Sequence, residues 1–381
     1  MNTRAADTKS ALGNDHPGTN EPVKIAIPRD RPLSKFHFPA LDGLRGLAIL
    51  AVMLNHYGSF VFTGGSIWQH SLAVVARRGY LGVDLFFVLS GFLITGILVD
   101  AKGSADYLKR FYWRRSLRIF PLYFFYLTMA FLVIRPLFPS HFVNLNPLWY
   151  ITYLANWHMG GEMMNPFLAH LWSLAVEEQF YLVWPFVVML VPNSRLAWFC
   201  GVVAVVALLL RLSLFGHVAE IYLYILTPSR MDALAAGAFI ATAIRNEQMA
   251  RAVNRVKWPV AVFCILCWLL TINNQLENTL SYSPAAVFFA IIVFWAASSS
   301  PTLLTASPLR FLGKYSYGLY IYHVLPRNAL LWQSQHLLPG SLYKIVFPLA
   351  TFAVTLALAM LSWRFLESPF LRLKDRYFRA A

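Results

Sequence analysis

Charge is scarce in this chain. Only 13% of its 381 residues are Asp, Glu, Lys or Arg, against about a quarter in soluble proteins, and acidic residues number just 17. With 58% hydrophobic residues, that shortage excludes both an ordinary soluble enzyme and a disordered polypeptide. Cysteine is scarcer still, at three residues. Cys264 and Cys267 form a C-x-x-C inside VAVFCILCWLL, where i and i+3 share a helix face and no further ligand lies near. They read as small packed residues, not a zinc or redox site. The sequence holds no P-loop, dinucleotide fingerprint, H-E-x-x-H, EF-hand loop or G-x-S-x-G. No metal is expected.

What is present is apolar and aromatic: a mean hydropathy of +0.54, with 30 Phe, 18 Tyr and 12 Trp. The composition is that of a polytopic membrane protein. Lys and Arg outnumber Asp and Glu by 32 to 17, a formal +15. In a soluble chain that excess would suggest nucleic acid. In a membrane protein it collects in cytoplasmic loops and sets topology, so no nucleic-acid partner is expected.

Residues 1–37 are polar and Pro-bearing without apolar periodicity, and read as a disordered cytoplasmic tail. No cleavable signal peptide is expected there. Runs long enough to span lie at approximately 43–62, 80–99, 119–138, 171–192, 196–215, 227–244, 258–275, 284–303, 315–333 and 345–366. The segment 147–170 starts with a short apolar stretch and turns polar. Basic residues crowd 100–118, 245–257 and 364–381, and the positive-inside rule puts all three on one side only if 147–170 is re-entrant or interfacial. The expectation is an all-α bundle of about ten transmembrane helices, both termini cytoplasmic. The membrane domain spans 38–370, and a basic tail follows at 371–381. No internal repeat is visible, which weighs against a secondary transporter.

Ionisable residues within spans usually face the bundle interior or a water-filled path. The first span, LDGLRGLAILAVMLNHYGSF, carries Arg45 and His56. Eleven residues apart, they fall within about 20° of one stripe, with a rise of about 16 Å. Asp84 in the second span and Glu177 and Glu178 in the fourth are expected at the depth of His56. A carboxylate there would fix the imidazole tautomer and support a general base. Glu177 and Glu178 point about 100° apart, so only one can face His56. Toward the cytoplasm, Arg115 and Arg118 share a helix face at i, i+3. With Arg45 and Lys314 they could form a basic mouth, where guanidinium pairs bidentately with phosphate. Topogenic or lipid-headgroup roles compete for Arg110 and Arg114. Arg230 and Asp232 read as an ion pair or a substrate contact, His323 as structural, and Ser90-Gly91 as a close helix approach.

LDGLRGLAILAVMLNH, GYLGVDLFFVLSGFLIT, FYWRRSLRIFPLYFF, HLWSLAVEEQFYLVWP, RMDALAAGAF and LGKYSYGLYIYH, in that order and spacing, resemble the acyltransferase family 3 membrane proteins over about 38–370. The resemblance implies transfer of an acyl group, most often acetyl, from cytoplasmic acyl-CoA to a hydroxyl of a glycan or other acceptor. Acyl-CoA is then a co-substrate. The family's Arg and His on the first helix match Arg45 and His56, its paired arginines match Arg115 and Arg118, and its Glu matches Glu177 or Glu178. Some members carry a further esterase-like domain, which is not expected beyond RFLESPFLRLKDRYFRAA.

A CoA thioester carbonyl lies roughly 20 Å from the adenosine phosphates, close to the ~16 Å between Arg45 and His56. His56 either deprotonates the acceptor hydroxyl or is itself acylated; the direct route is favoured. The acceptor can be a polysaccharide, O-antigen, oligosaccharide or glycosylated metabolite. Membrane lipids are expected partners, and a homo-oligomer or a separate acceptor-presenting protein stays open. Two competing readings are a proton-coupled transporter or flippase with His56, Asp84 and Glu177 as a relay, and a membrane glycosyltransferase.

Overall fold

The computed structural model describes residues 37–61, 67–158, 165–271, 277–334 and 340–379, and every regular element among them is helical. That is what a bilayer demands, since backbone polar groups without water must bond within their own segment. The long helices are α1 (Pro39–Val61), α2 (Leu81–Ala101), α3 (Tyr107–Met129), α4 (Trp172–Leu190), α5 (Asn193–Leu214), α6 (Thr227–Ala243), α7 (Glu247–Thr271), α8 (Tyr282–Ser299), α9 (Ser307–Tyr322), α10 (Val324–Ser334) and α11 (Gly340–Ser362). The N-terminal segment read as a tail lies, up to residue 36, outside the described residues, as do 159–164 of the expected re-entrant segment.

Seven helical stretches among the described residues are long and apolar enough to cross a membrane: His70–Ala101, Tyr107–Leu137, Ala169–Leu190, Asn193–Leu214, Glu247–Thr271, Tyr282–Ser299 and Leu342–Leu373. The chain is a multi-pass membrane protein, but the expected count of ten is not reached on this measure. The remaining expected spans are helices of another kind. α6 has 17 residues and carries Arg230 and Asp232, α9 gives way to α10 at His323, and α1 carries Asp42 and Arg45 in its first two turns. Within the described part of the stretch expected to be re-entrant or interfacial, residues 147–158 form two short helices, Pro147–Ile151 and Ala155–His158.

α2 lies at the centre, buried over most of its length, with α6 across one side and α1 on another. Glycines permit the closest crossings. A Cβ at Gly91 of α2 would occupy the place of the Leu234 carbonyl of α6, and one at Gly237 of α6 that of the Val88 carbonyl of α2. Small residues at such crossings let backbones approach closely. α5 and α7 lie outside, presenting Trp198, Val205, Phe263 and Leu270 as exposed apolar side chains. Lipid tails suit that surface.

Two polar side chains tie several elements together. Arg211 of α5 donates to Asp232 of α6 at 2.7 Å, Ser283 of α8 at 2.6 Å, the Thr279 carbonyl at 3.0 Å and the Ser229 carbonyl. The short helices after residue 146 are stitched to α4 by Gln179. Its amide nitrogen donates to the Tyr153 carbonyl at 2.7 Å and Asn156 Oδ1 at 2.9 Å, while its oxygen accepts from Trp157 Nε1 at 3.0 Å and Thr227 Oγ1 at 2.7 Å. Non-spanning backbone is thus held against protein, as it must be near membrane depth.

Candidate active site

Two cavities lie one above the other along α1. The first, about 250 Å³, is lined by Arg45, Arg115, Arg118, Glu177, Ser90 and Tyr181 among others. The second, about 480 Å³, is lined by His56, His170, Trp172, Tyr224 and Tyr282 among others. Val83 and Tyr320 border both. The helical stripe from Arg45 to His56, a rise of about 16 Å, therefore runs from one cavity to the other. α4 repeats the pattern. His170, in the 3-10 turn leading into it, lines the upper cavity, and Glu177, seven residues or two turns on, lines the lower one.

The lower cavity gathers the expected basic residues except one. The Arg115 guanidinium lies over the Tyr181 ring, 4.3 Å from its centroid. Tyr181 hydrogen-bonds Ser90 of α2, and both hydroxyls reach Glu177. Arg45 donates to Asp42 at 2.6 Å. Lys314 lines neither cavity; it is exposed on α9, its ammonium over the rings of Tyr315 and Trp363. A residue not singled out from the sequence, Glu367, accepts a hydrogen bond from Ser362 at 3.3 Å and lies within electrostatic reach of Arg118.

The carboxylates expected beside His56 sit elsewhere. Asp84 pairs with Arg230 of α6, both fully buried. Glu177 and Glu178 both lie in the field of Arg115, Glu177 facing the lower cavity and Glu178 turned toward Tyr123 and Tyr153. His56 is instead surrounded by imidazoles. Its ring centroid is 4.6 Å from that of His323, which is 5.2 Å from that of His170. Each ring bonds a backbone carbonyl through one nitrogen: His56 Nδ1 to Val52 at 2.9 Å, His170 Nε2 to Ile321 at 3.2 Å and His323 Nδ1 to Tyr320 at 2.6 Å. A carbonyl only accepts, so those nitrogens carry the protons, and in the neutral ring the opposite nitrogen keeps its lone pair. For His56 that nitrogen is Nε2. Arg327 holds the same turn by donating to the His56 carbonyl at 3.1 Å.

Tyr320 stands where the two cavities adjoin. Its hydroxyl donates to the His170 carbonyl at 2.9 Å and lies 2.6 Å from Ser173 Oγ. The sequence treats His323 as structural and gives His170 no role. The two-turn interval between His170 and Glu177, parallel to the Arg45–His56 stripe, is the signal that could have found it.

The profile of the acyltransferase domain family matches residues 38–364. The chain belongs to that family. It is 29% identical over 374 residues to the peptidoglycan O-acetyltransferase OatA of Listeria monocytogenes, covering 88% of this chain and 56% of that protein. It is 25% identical over 370 residues to the O-acetyltransferase OatA of Staphylococcus aureus, covering 89% of this chain and 58% of that one. The chain thus spans little more than half the length of these relatives. No solved structure matches it. The matched region contains every lining residue named for the two cavities.

Proposed function

We propose that this chain transfers an acyl group, acetyl in the simplest case, from acyl-CoA to a hydroxyl of a carbohydrate acceptor. The observation that carries the reading is the pair of adjoining cavities, one lined by guanidinium groups and one by imidazoles, bordered in common by Val83 and Tyr320. A polyanionic CoA with a long neutral arm has that same polarity from end to end. Its phosphates suit Arg45, Arg115 and Arg118, since arginine binds phosphate bidentately. The arm reaches past Tyr320 toward His56. The positive-inside rule puts the Arg45 end at the cytoplasm of a bacterial inner membrane, with both termini on that side. The activity carried in the Listeria relative's name favours a peptidoglycan or related polysaccharide acceptor.

In this mechanism the Val52 carbonyl holds the His56 Nδ1 proton and turns Nε2 into the base. Nε2 takes the acceptor hydroxyl proton as the oxygen attacks the thioester carbonyl. The C–S bond then breaks, and the departing thiolate takes the proton back from His56. Glu177 holds the arginine cluster in place and does not act on His56.

The test uses the full chain in lipid nanodiscs with acetyl-labelled acetyl-CoA and glycan acceptors. His56→Ala is expected to keep acetyl-CoA binding and to lose transfer by about 10²–10⁴-fold, the usual contribution of a general base. Transfer by His56→Ala at the wild-type rate would sink the assignment. Solute uptake without acyl-CoA turnover would favour a transporter instead.

A further inference from the structure

The upper cavity contains more aromatic surface than proton transfer to a hydroxyl requires. Trp172, Tyr224, Tyr282 and Tyr80 form a continuous wall, with centroids 4.6 Å apart for Trp172–Tyr224, 5.8 Å for Tyr224–Tyr282 and 6.5 Å for Tyr80–Tyr282. They come from four separate parts of the chain, yet all four line the cavity that His56 lines. Behind the wall lies Arg230, fully buried, its guanidinium carbon 3.9 Å from the Tyr282 centroid and 5.4 Å from that of Tyr224. Asp84 anchors Arg230 from α2.

We infer that this cavity is the subsite for one or two sugar rings of the acceptor, and that Asp84 and Arg230 are positioning residues that hold its aromatic wall. The inference rests on the acyl-transfer reading above. A pyranose presents an apolar C–H face between hydroxyl edges, and aromatic side chains likewise combine an apolar body with a polar tip. A stacked ring would set its outer hydroxyls toward the imidazoles, while Glu220 at the same wall offers an acceptor for others. Aromatic boxes also bind cations. Here the guanidinium of Arg230 already occupies that position against Tyr224 and Tyr282, and a second cation would meet its charge. The volume, about 480 Å³, lies in the lower part of the ~300–1,000 Å³ range of small-molecule sites. A ring or two fits, with the rest of a polymer left outside.

The experiment measures acetyl transfer by the full chain in nanodiscs to methyl β-D-glucopyranoside, methyl N-acetyl-β-D-glucosaminide and sorbitol, an open-chain polyol without a ring face. At least one glycoside is expected to be acetylated with kcat/KM tenfold or more above that for sorbitol. Trp172→Leu and Tyr224→Leu are expected to raise KM for that glycoside tenfold or more while acetyl-CoA affinity stays within twofold, which also reports that the variants fold. Tyr224→Phe keeps the ring and is expected to keep KM. Equal use of sorbitol, or leucine variants with unchanged KM, overturns the subsite. Acetyl-CoA bound while neither glycoside is acetylated also overturns it and leaves the acyl-transfer reading standing. Acetyl-CoA neither bound nor turned over removes that reading and this inference together.

Discussion

Asp84 was one of three carboxylates, with Glu177 and Glu178, that the sequence offered to support His56, and the fold gives it Arg230 instead. Both side chains are fully buried, and Arg230 Nε and Nη1 have no other hydrogen-bond partner. Asp84→Ala would therefore leave a buried guanidinium without its hydrogen-bonded partner, with Asp232, itself bonded to Arg211, acting on it only at longer range. Breaking a buried pair from one side costs ~3–5 kcal/mol, because the remaining charge loses its compensation. That lowers the folded-to-unfolded ratio by roughly 100-fold or more. Replacing both partners, as in Asp84→Ala with Arg230→Met, removes the charge altogether and is expected to recover most of the loss. Reversible unfolding of the four proteins of the cycle in bicelles, with acetyl-transfer kinetics alongside, measures the coupling. We expect a coupling of at least ~2 kcal/mol, with transfer by the single variants falling through acceptor KM more than through kcat. A single Asp84→Ala that costs under ~1 kcal/mol and lowers kcat, with no recovery in the double variant, would refute the reasoning and return Asp84 to His56.

Arg115→Ala and Arg118→Ala are each expected to weaken acetyl-CoA binding by ~10–100-fold, the worth of a charge-assisted hydrogen bond; titration calorimetry checks this, with Lys314→Ala, outside both cavities, within about twofold of wild type. Gly237→Leu forces a side chain into the Val88 carbonyl of α2 and is expected to cost ~1–3 kcal/mol or more through overpacking, read as a shorter half-life in detergent. Gln179→Leu removes the three bonds that tie Tyr153, Asn156 and Trp157 to α4 and a fourth to Thr227, leaving the Asn156 side chain held by Thr227 and the Ile225 carbonyl. Limited proteolysis is expected to cut between residues 147 and 158 at lower protease concentration, while the α2–α6 crossing stays protected.

Helices were legible where lipid faces them, because there composition must be apolar along the whole length. α5 and α7 are of that kind. α6 is not: with α2, α5 and α8 packed around it, it needs no lipid-facing surface, so it can be short and carry Arg230 and Asp232. Hydropathy alone overestimates the apolar character of such a helix. Heights were legible too. Arg45 and His56 do open onto separate cavities as their spacing implies. Azimuth was not, since a sequence gives each residue's angle on its own helix but not the rotation of that helix against its neighbours. Asp84 therefore turned to Arg230, while Glu177 lies two turns below His170 in the lower cavity, with Glu178 beside it in the field of Arg115. Lys314 stands about 60° around α9 from Tyr317, which lines the lower cavity, and that is enough to put it outside.

The same azimuthal facts bear on the choice between an enzyme and a proton-coupled carrier. A carrier relay needs titratable groups that follow one another along the path and can exchange their protons. Here Asp84 is fixed to Arg230 behind the aromatic wall, and Glu177 lies among Arg115, Ser90 and Tyr181 in the other cavity. Val83 and Tyr320 border both cavities, and the Tyr320 hydroxyl is committed to the His170 carbonyl and so is not a free proton carrier between Glu177 and His56. Three arginines at the Arg45 end repel a proton or metal cation seeking entry, and they attract a polyphosphate. The charge pattern thus suits an anion at one end and an aromatic chamber with an oriented imidazole at the other. An acyl donor that is anionic at its handle and neutral at its reactive carbonyl satisfies both ends at once, whereas a transported proton satisfies neither.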